Sequence, residues 1–343
     1  MTEATDTFAC FGSTCTVVVD GPGRTGRPAA DAVAAARRSL LGWHGRFSRF
    51  LETSELSRLN ADPRPEVPVS ALMGRLVEAV AVAAERTGGL VDGTLLHDIE
   101  AAGYLTDLRR PLPLALALGL APRRRPAGAS PAARWRHIAF DRDAGVVRRP
   151  PGVGLDSGGL AKGLFADVLA GALDGHASFA VECAGDLRLG GAARLVRPVH
   201  VQSPFDRRVL HTFALAEGGV ATSGIGRRSW LDARGRPAHH LLDPATGRPA
   251  FTGLVQVTAL APTGLEAEIR AKAALLSGPG AAHDWLPDGG VLVADDGAFA
   301  IVAPASASGR PGSAAARRAH ASPAPPSAPS AGRAPAGAAA ARR

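Results

Sequence analysis

Short β-type runs arrive in groups, and a few long amphipathic stretches separate the groups without the strict strand–helix alternation of a parallel α/β sheet. That order predicts an α+β fold. Residues 8–20 predict one strand, with Thr14, Thr16 and Val17 to Val19 at its centre and a turn at Gly21-Pro22-Gly23. Residues 29–41 predict a helix. Ser70 caps a second, in which Leu72, Leu76, Val80 and Ala83 repeat at helical spacing until Gly88-Gly89 ends it. Leu160, Leu164, Val168 and Ala172 mark a third over 160–173, directly after a Gly-rich turn. Short strands are expected at 178–182, 199–203 and 209–215. Residues 254–261 alternate, with Val255, Val257, Ala259 and Ala261 on one side, and Thr263 and Glu266 then form a T-x-x-E capping box for a helix to about Ser277. Residues 291–294 and 298–302 read as a hairpin across Asp295-Asp296-Gly297. The Pro-, Arg- and Ala-dense stretch 109–136 predicts an exposed excursion.

On this reading the chain divides into a folded domain, 1–302, and an Ala/Pro/Ser/Arg-rich tail, 303–343, with almost no large apolar residues and an expectation of disorder. The division explains the charge. Lys+Arg number 39 and Asp+Glu 31, a formal net charge of +8. The tail carries Arg310, Arg317, Arg318, Arg333, Arg342 and Arg343 and no acid, so most of the excess belongs to it. With aromatic residues at only 5% and not interleaved with the basic ones, a nucleic-acid binder is disfavoured. Arginine does the generic surface work, because Lys162 and Lys272 are the only lysines. A lysine ammonium is a compact point charge that can approach one phosphate oxygen or carboxylate. Cys10, Cys15 and Cys183 are an odd set in a large chain, which predicts small buried hydrophobes rather than a disulfide framework. The first residues lack a basic segment followed by a continuous apolar one, and no apolar run is long enough to span a bilayer. A soluble, cytoplasmic protein is the expectation.

Three stretches carry chemistry. Residues 155–163, LDSGGLAKG, run a Gly-rich turn into a helix, where close backbone approach and free N–H groups favour an anion such as phosphate. Residues 238–249, AHHLLDPATGRP, place two histidines before a turn at Asp243-Pro244 and Gly247; a histidine can act as a general base near neutral pH. Adjacent histidines in a strand point to opposite faces, so the pair does not chelate one ion, and one of the two is expected to be structural. Val220-Ala221-Thr222-Ser223-Gly224 puts small hydroxyl residues at a strand end, ahead of Arg227 and Arg228. Glu182-Cys183-Ala184-Gly185-Asp186 and Leu90-Val91-Asp92-Gly93-Thr94 add further Gly-plus-acid turns.

Taken in order, these segments resemble the flavin transferase (ApbE) family, the FAD:protein FMN transferases. The resemblance runs from about Phe8 to Val302 and includes Phe47-Ser48-Arg49-Phe50, residues 54–60 (SELSRLN), Asp92-Gly93-Thr94, the 156–163 turn, Gly185-Asp186, residues 221–224, and His240-x-x-Asp243-Pro244-x-Thr246-Gly247-x-Pro249. It implies a T-fold type of α+β architecture with two related halves, antiparallel sheets and packed long helices. It also implies a site for FAD and Mg²⁺, and transfer of FMN to a Thr or Ser hydroxyl of an acceptor protein with release of AMP. Carried over by position, Phe11, Phe50, Asn60, Asp92, Asp156, Lys162 and Leu241 would line the flavin nucleotide. His240 would be the base, and Ser223, Asp243 and Thr246 would shape the site around it, Asp243 as a catalytic residue.

The family carries an Asp and, four residues on, a Thr or Ser on Mg²⁺, with a backbone carbonyl at the position of Gly159. This sequence has Glu268 and Lys272 there. Positions i and i+4 share a helical face, but a charged lysine has three donors and no lone pair. One reading makes Glu268 and Lys272 an ion pair; another makes Lys272 a replacement for part of the metal's charge, or a direct phosphate contact. A third leaves a flavin-binding protein or an FAD hydrolase with an altered metal site and no transfer.

Overall fold

The computed structural model describes residues 3–305 apart from 107 and 109, together with the backbone of 318–319. The main sheet contains β1 (Glu3–Cys10), β2 (Ser13–Asp20), β3 (Ser178–Cys183), β4 (Asp186–Gly190), β5 (Gly218–Gly224), β6 (Leu254–Ala261), β7 (Gly290–Ala294) and β8 (Phe299–Val302). They lie side by side in chain order, each antiparallel to the next. The helices include α1 (Ala29–Phe47), α2 (Glu55–Ala61), α3 (Ala71–Arg86), α4 (Ala161–Leu173) and α5 (Gly264–Ser277). α1 packs on β1 and β2, α4 on β3 and β4, and α5 on β5 and β6. Each half of the sheet is thus a pair of strands, a helical connection and a second pair: the α+β class is the one the sequence order predicts, and the two-half arrangement is the one the family resemblance implies. Arg318–Ala319 pair with β8; beyond residue 305 the tail for which disorder is expected otherwise lies outside the described residues.

The core follows the same division. Val17, Leu40, Phe47, Leu76, Leu155, Phe165 and Val181 are among the buried side chains of the first half. Leu254, Val257, Ala271, Leu275 and Val291 belong to the second. α5 serves both, since its Ile269 and Ala273 join the first cluster while Ala267, Ala271 and Ala274 join the second. On β6, burial reaches both faces and only Gln256 is partly exposed: α5 packs on the strand, and Val201, Leu210 and Phe213 of the 197–215 hairpin belong to or pack against the same core cluster.

α4 and α5 meet more closely than side chains permit. A Cβ on Gly163 would lie 2.6 Å from the Gly264 carbonyl oxygen and 2.8 Å from the Leu265 Cα. On the other side of the same junction, a Cβ on Gly219 of β5 would lie 2.2 Å from the Thr263 carbonyl oxygen. Asp167 of α4 fastens the contact, its carboxylate accepting the N–H groups of Gly264 at 2.8 Å and Leu265 at 2.9 Å. Thr263 Oγ1 accepts the Glu266 N–H at 3.2 Å, as a capping residue should, while the Glu266 carboxylate turns to Arg270 instead of closing the box.

Three expected elements are corrected. Residues 8–20 form two strands, because Phe11 adopts φ 54° and Gly12 φ 66° and the chain reverses there. The first helix continues past residue 41 to Phe47, since Gly42 and Gly45 sit in its open face. The 109–136 excursion contains a short helix, Leu114–Gly119, with Leu114 and Ala117 buried.

Gly163→Ala should therefore destabilise the protein by about 1–3 kcal/mol, the usual cost of forcing a methyl group into a packed contact. A thermal or urea melt checks this, and an unchanged melting temperature would refute the close approach.

Candidate active site

A cavity of about 340 Å³ opens where the β1–β2 turn, the segment after α1, residues 90–95, the 156–162 turn, residues 240–244 and α5 converge. One wall is aromatic. The Phe11 ring stacks on Phe165 of α4 at 5.6 Å and meets His44 edge-on at 5.4 Å. In the same lining Phe50 contacts Tyr104 at 5.4 Å, and Tyr104 is backed by Trp230, stacked at 5.2 Å. Arg49 lies over both rings, 4.3 Å from Phe50 and 4.6 Å from Tyr104, and donates to the Tyr104 carbonyl at 2.6 Å. Such rings offer flat apolar surface with a positive edge, suited to a planar ligand.

A second wall is acidic. Asp92 Oδ1 accepts the Thr94 N–H at 2.8 Å and the Thr94 hydroxyl at 2.6 Å. Its other oxygen is buried without a partner, and burial pushes its carboxyl up despite Thr94. Asp156 donates its N–H to Gly93 at 2.9 Å and accepts that of Gly158 at 3.1 Å, so two of the Gly-plus-acid turns are hydrogen-bonded to one another.

The third wall is cationic. Lys162 Nζ donates to Asp186 Oδ2 and lies 3.3 Å from Glu268 Oε1; Lys272 Nζ lies 3.2 Å from that same oxygen. Glu268 Oε2 accepts the N–H of Gly163 at 3.0 Å, satisfying a free donor in the first turn of α4, whose N-cap Leu160 has no capping side chain. Burial opposes charge on Lys162, but Asp186 and Glu268 outweigh it and hold the ammonium above its usual range. Burial likewise works against the Glu268 carboxylate, and Lys162 and Lys272 hold it charged. Asp186, under the same burial, is pushed up.

The donor set at Gly159, Glu268 and Lys272 does not fit Mg²⁺. The Glu268 oxygens already take three donors, Lys272 offers no lone pair, and a Cβ on Gly159 would sit 3.3 Å from the Lys272 Cε. Among the described residues no group of three or more His, Cys, Asp or Glu side chains is placed to hold a metal ion.

The two histidines divide at the end of a short strand, Pro237–His239, with His240 in the bend that follows it. His239 is packed against Phe251 at 4.7 Å, and its Nδ1 accepts the Leu241 N–H at 3.3 Å. His240 lines the cavity, with a buried Nδ1 that has no hydrogen-bond partner. Burial drives His239 down to about 3 and His240 well below the ordinary histidine value, in His240 helped by Arg228, so both rings are neutral at pH 7.

Of the residues expected from sequence, Phe11, Phe50, Asp92, Asp156, Gly159, Lys162, His240, Leu241 and Lys272 line the cavity. The others stand behind it. Asn60 bridges the Leu155 backbone with two 2.8 Å hydrogen bonds. Asp243 takes the Gly128 N–H at 2.9 Å, the Ala245 N–H at 3.1 Å and the Thr246 hydroxyl at 2.9 Å, holding its own turn. Ser223 sits opposite Val257 in the sheet, and Glu268 lies beneath the lysines. The sequence motifs contain Arg49 and Arg228 without giving either a site role, and Tyr104 and Trp230 lie outside every motif. Tyr104 had one available signal, since it is the only tyrosine in the chain.

Known proteins resemble this chain in sequence and fold. An FAD:protein FMN transferase of Salmonella typhimurium is 29% identical over 210 residues, 59% of this chain and 58% of that protein, so the match spans little more than half of its length. One from Klebsiella pneumoniae is 28% identical over 276 residues, 77% of this chain and 76% of that protein. The crystal structure of the ApbE protein of Thermotoga maritima superposes with a TM-score of 0.69 at 26% identity, covering 87% of this chain and 96% of that one. The apo flavinyl transferase ApbE of Pseudomonas stutzeri, at 23% identity and a TM-score of 0.66 over 85% of this chain and 91% of its own, has the same fold. The model of the ApbE family matches residues 11–293, and with that span the chain belongs to the ApbE family.

Proposed function

We propose that this chain is a transferase that moves FMN from FAD onto a Thr or Ser hydroxyl of an acceptor protein and releases AMP. The observation that carries the reading is the convergence, in one cavity, of an aromatic wall, two ammonium groups and a neutral, unpartnered imidazole. The acceptor oxygen bonds to the phosphorus of the FMN half, the bond from that phosphorus to the AMP phosphate oxygen breaks, and the hydroxyl proton passes to His240. Phe11, Phe50, Tyr104 and Leu241 supply surface for the flavin and nucleotide rings. The unpartnered oxygen of Asp92 accepts an N–H or O–H of the bound nucleotide, and Asp156 keeps the Gly-rich turn beside it. Lys162 and Lys272, with Arg228, offset charge on the pyrophosphate and on the departing phosphate. Asn60, Ser223, Asp243 and Thr246 position these groups from behind. Magnesium belongs to the family expectation, and the Glu268 and Lys272 donor set does not fit it.

The folded unit of this proposal is the 1–302 domain, and its place of action the cytoplasm, a reading supported by three free, buried cysteines. No helix of the described residues is long and apolar enough to cross a membrane. The filled Glu268 position favours a second reading, an FAD hydrolase or a flavin-binding protein without transfer. Incubation with FAD and an acceptor domain separates the three: covalent FMN with AMP marks the transferase, free FMN with AMP the hydrolase, and no AMP the binder.

His240→Gln should lower the transfer rate by about 10²–10⁴, the usual contribution of a general base, while FAD binding measured by fluorescence persists. A full rate in this variant would remove His240 from proton transfer.

The buried histidines also set an acid limit. Their folded pKa values lie below the ordinary 6.5, so as pH falls the unfolded chain takes up protons that the folded one refuses. Stability should be complete above pH 6.5 and fall toward about pH 3, by at most about 1.4 kcal/mol per pH unit for each ring. Melting temperatures from neutral to acid pH measure it; His239→Asn should shallow the slope, and an unaltered slope would assign the acid lability elsewhere.

A further inference from the structure

The cluster beneath the cavity is built as an ion pair of pairs, with its signs sorted by depth. Asp186 and Glu268 lie at the bottom, their side chains 1% exposed, while Lys162 and Lys272 lie above them at 15% and 11% and line the cavity. The carboxylates therefore anchor the ammonium groups, and the ammonium groups face whatever the cavity holds. Lys162 and Lys272 share one oxygen of Glu268, at 3.3 and 3.2 Å, which fixes both cations on a common point. The Lys272 chain fills the space beside Gly159, next to the Gly-rich turn that opens α4. Both groups present N–H donors to the cavity side, where a phosphate can take up the donors that Asp186 and Glu268 do not use.

We propose that Lys272 is a resident cation of this site, standing in the place and supplying the charge of a divalent metal ion, so that the Lys162–Lys272 pair binds a pyrophosphate without added metal. The inference rests on the flavin-nucleotide reading of the cavity. It gives Lys272 a use that a surface ion pair would lack: its four-carbon stem is buried and its charge is spent on an anchored carboxylate at one side only. A tethered cation also differs from a bound ion in being always present, so the site keeps its charge in the presence of a chelator.

Calorimetric titration of the full chain with FAD, in chelator and in millimolar Mg²⁺, tests it. The unaltered chain should bind FAD with the same Kd, within about twofold, in both, and Mg²⁺ alone should leave its melting temperature unchanged, since a ligand that does not bind the folded state cannot stabilise it. Lys272→Met, which keeps the buried stem, should weaken FAD binding in chelator by about tenfold to a hundredfold, the worth of a charge-assisted hydrogen bond. Lys272→Thr should do the same, and together with Glu268→Asp should bind FAD more tightly when Mg²⁺ is added. Binding to the unaltered chain that tightens about tenfold or more with Mg²⁺ would overturn the proposal alone, as would full affinity of Lys272→Met in chelator. Absence of FAD binding under both conditions would overturn the flavin reading and this inference with it. The metal comparison on the unaltered chain decides the matter even if a variant fails to fold.

Discussion

Two backbones that meet without side chains between them, at Gly163 and Gly264, set the geometry on which everything else depends. Because α4 and α5 touch there, Lys162 at the start of α4 and Glu268 near the start of α5 come within ion-pair distance. Asp167 holds the junction from the α4 side and Glu268 from the α5 side, each carboxylate accepting N–H groups of the opposite helix. A polar contact buried this completely is tolerable only when every donor and acceptor is answered, and here they answer one another across the two halves of the fold.

The cavity takes its asymmetry from this junction. Around Lys162 and Lys272 it is cationic; elsewhere it is aromatic and acidic, with the Asp156 turn hydrogen-bonded to Gly93 and Leu155 held by Asn60 of α2. A ligand with a flat ring system at one end and phosphates at the other matches that division. His240 stands beside the cationic wall in neutral form because Arg228 and Lys272 repel a further positive charge as well as because it is buried. The same charges that would hold a phosphate therefore keep the imidazole unprotonated at neutral pH.

Much of the fold was legible where one local rule decides. The helix Ala71–Arg86 starts at its Ser70 cap, with the hydroxyl accepting the Met73 N–H at 3.2 Å, and follows its three- and four-residue spacing to the end. The Leu254–Ala261 strand and the helix behind Thr263 came through for the same reason. The β1–β2 reversal did not, because it places Phe11 at positive φ without the Asn-Gly or Asp-Gly pair that announces a tight hairpin. In the site, residue types and spacing pointed to the cavity lining, yet they could not separate a residue that faces a ligand from one that holds the turn beneath it. Asn60 and Asp243 have the chemistry of ligand contacts and spend it on backbone N–H and C=O groups. The stack of Arg49, Phe50, Tyr104 and Trp230 joins four residues from three distant segments, and no linear pattern encodes that meeting.

The scarcity of lysine has one more consequence. Because Lys162 and Lys272 are the only two, and both line the cavity, every side-chain amine of the protein lies in its candidate active site. The arginine-bearing surface offers no side-chain amine to acylating reagents or to lysine acetylation. Any such modification of a side-chain amine would remove a charge from the cavity wall and from nowhere else.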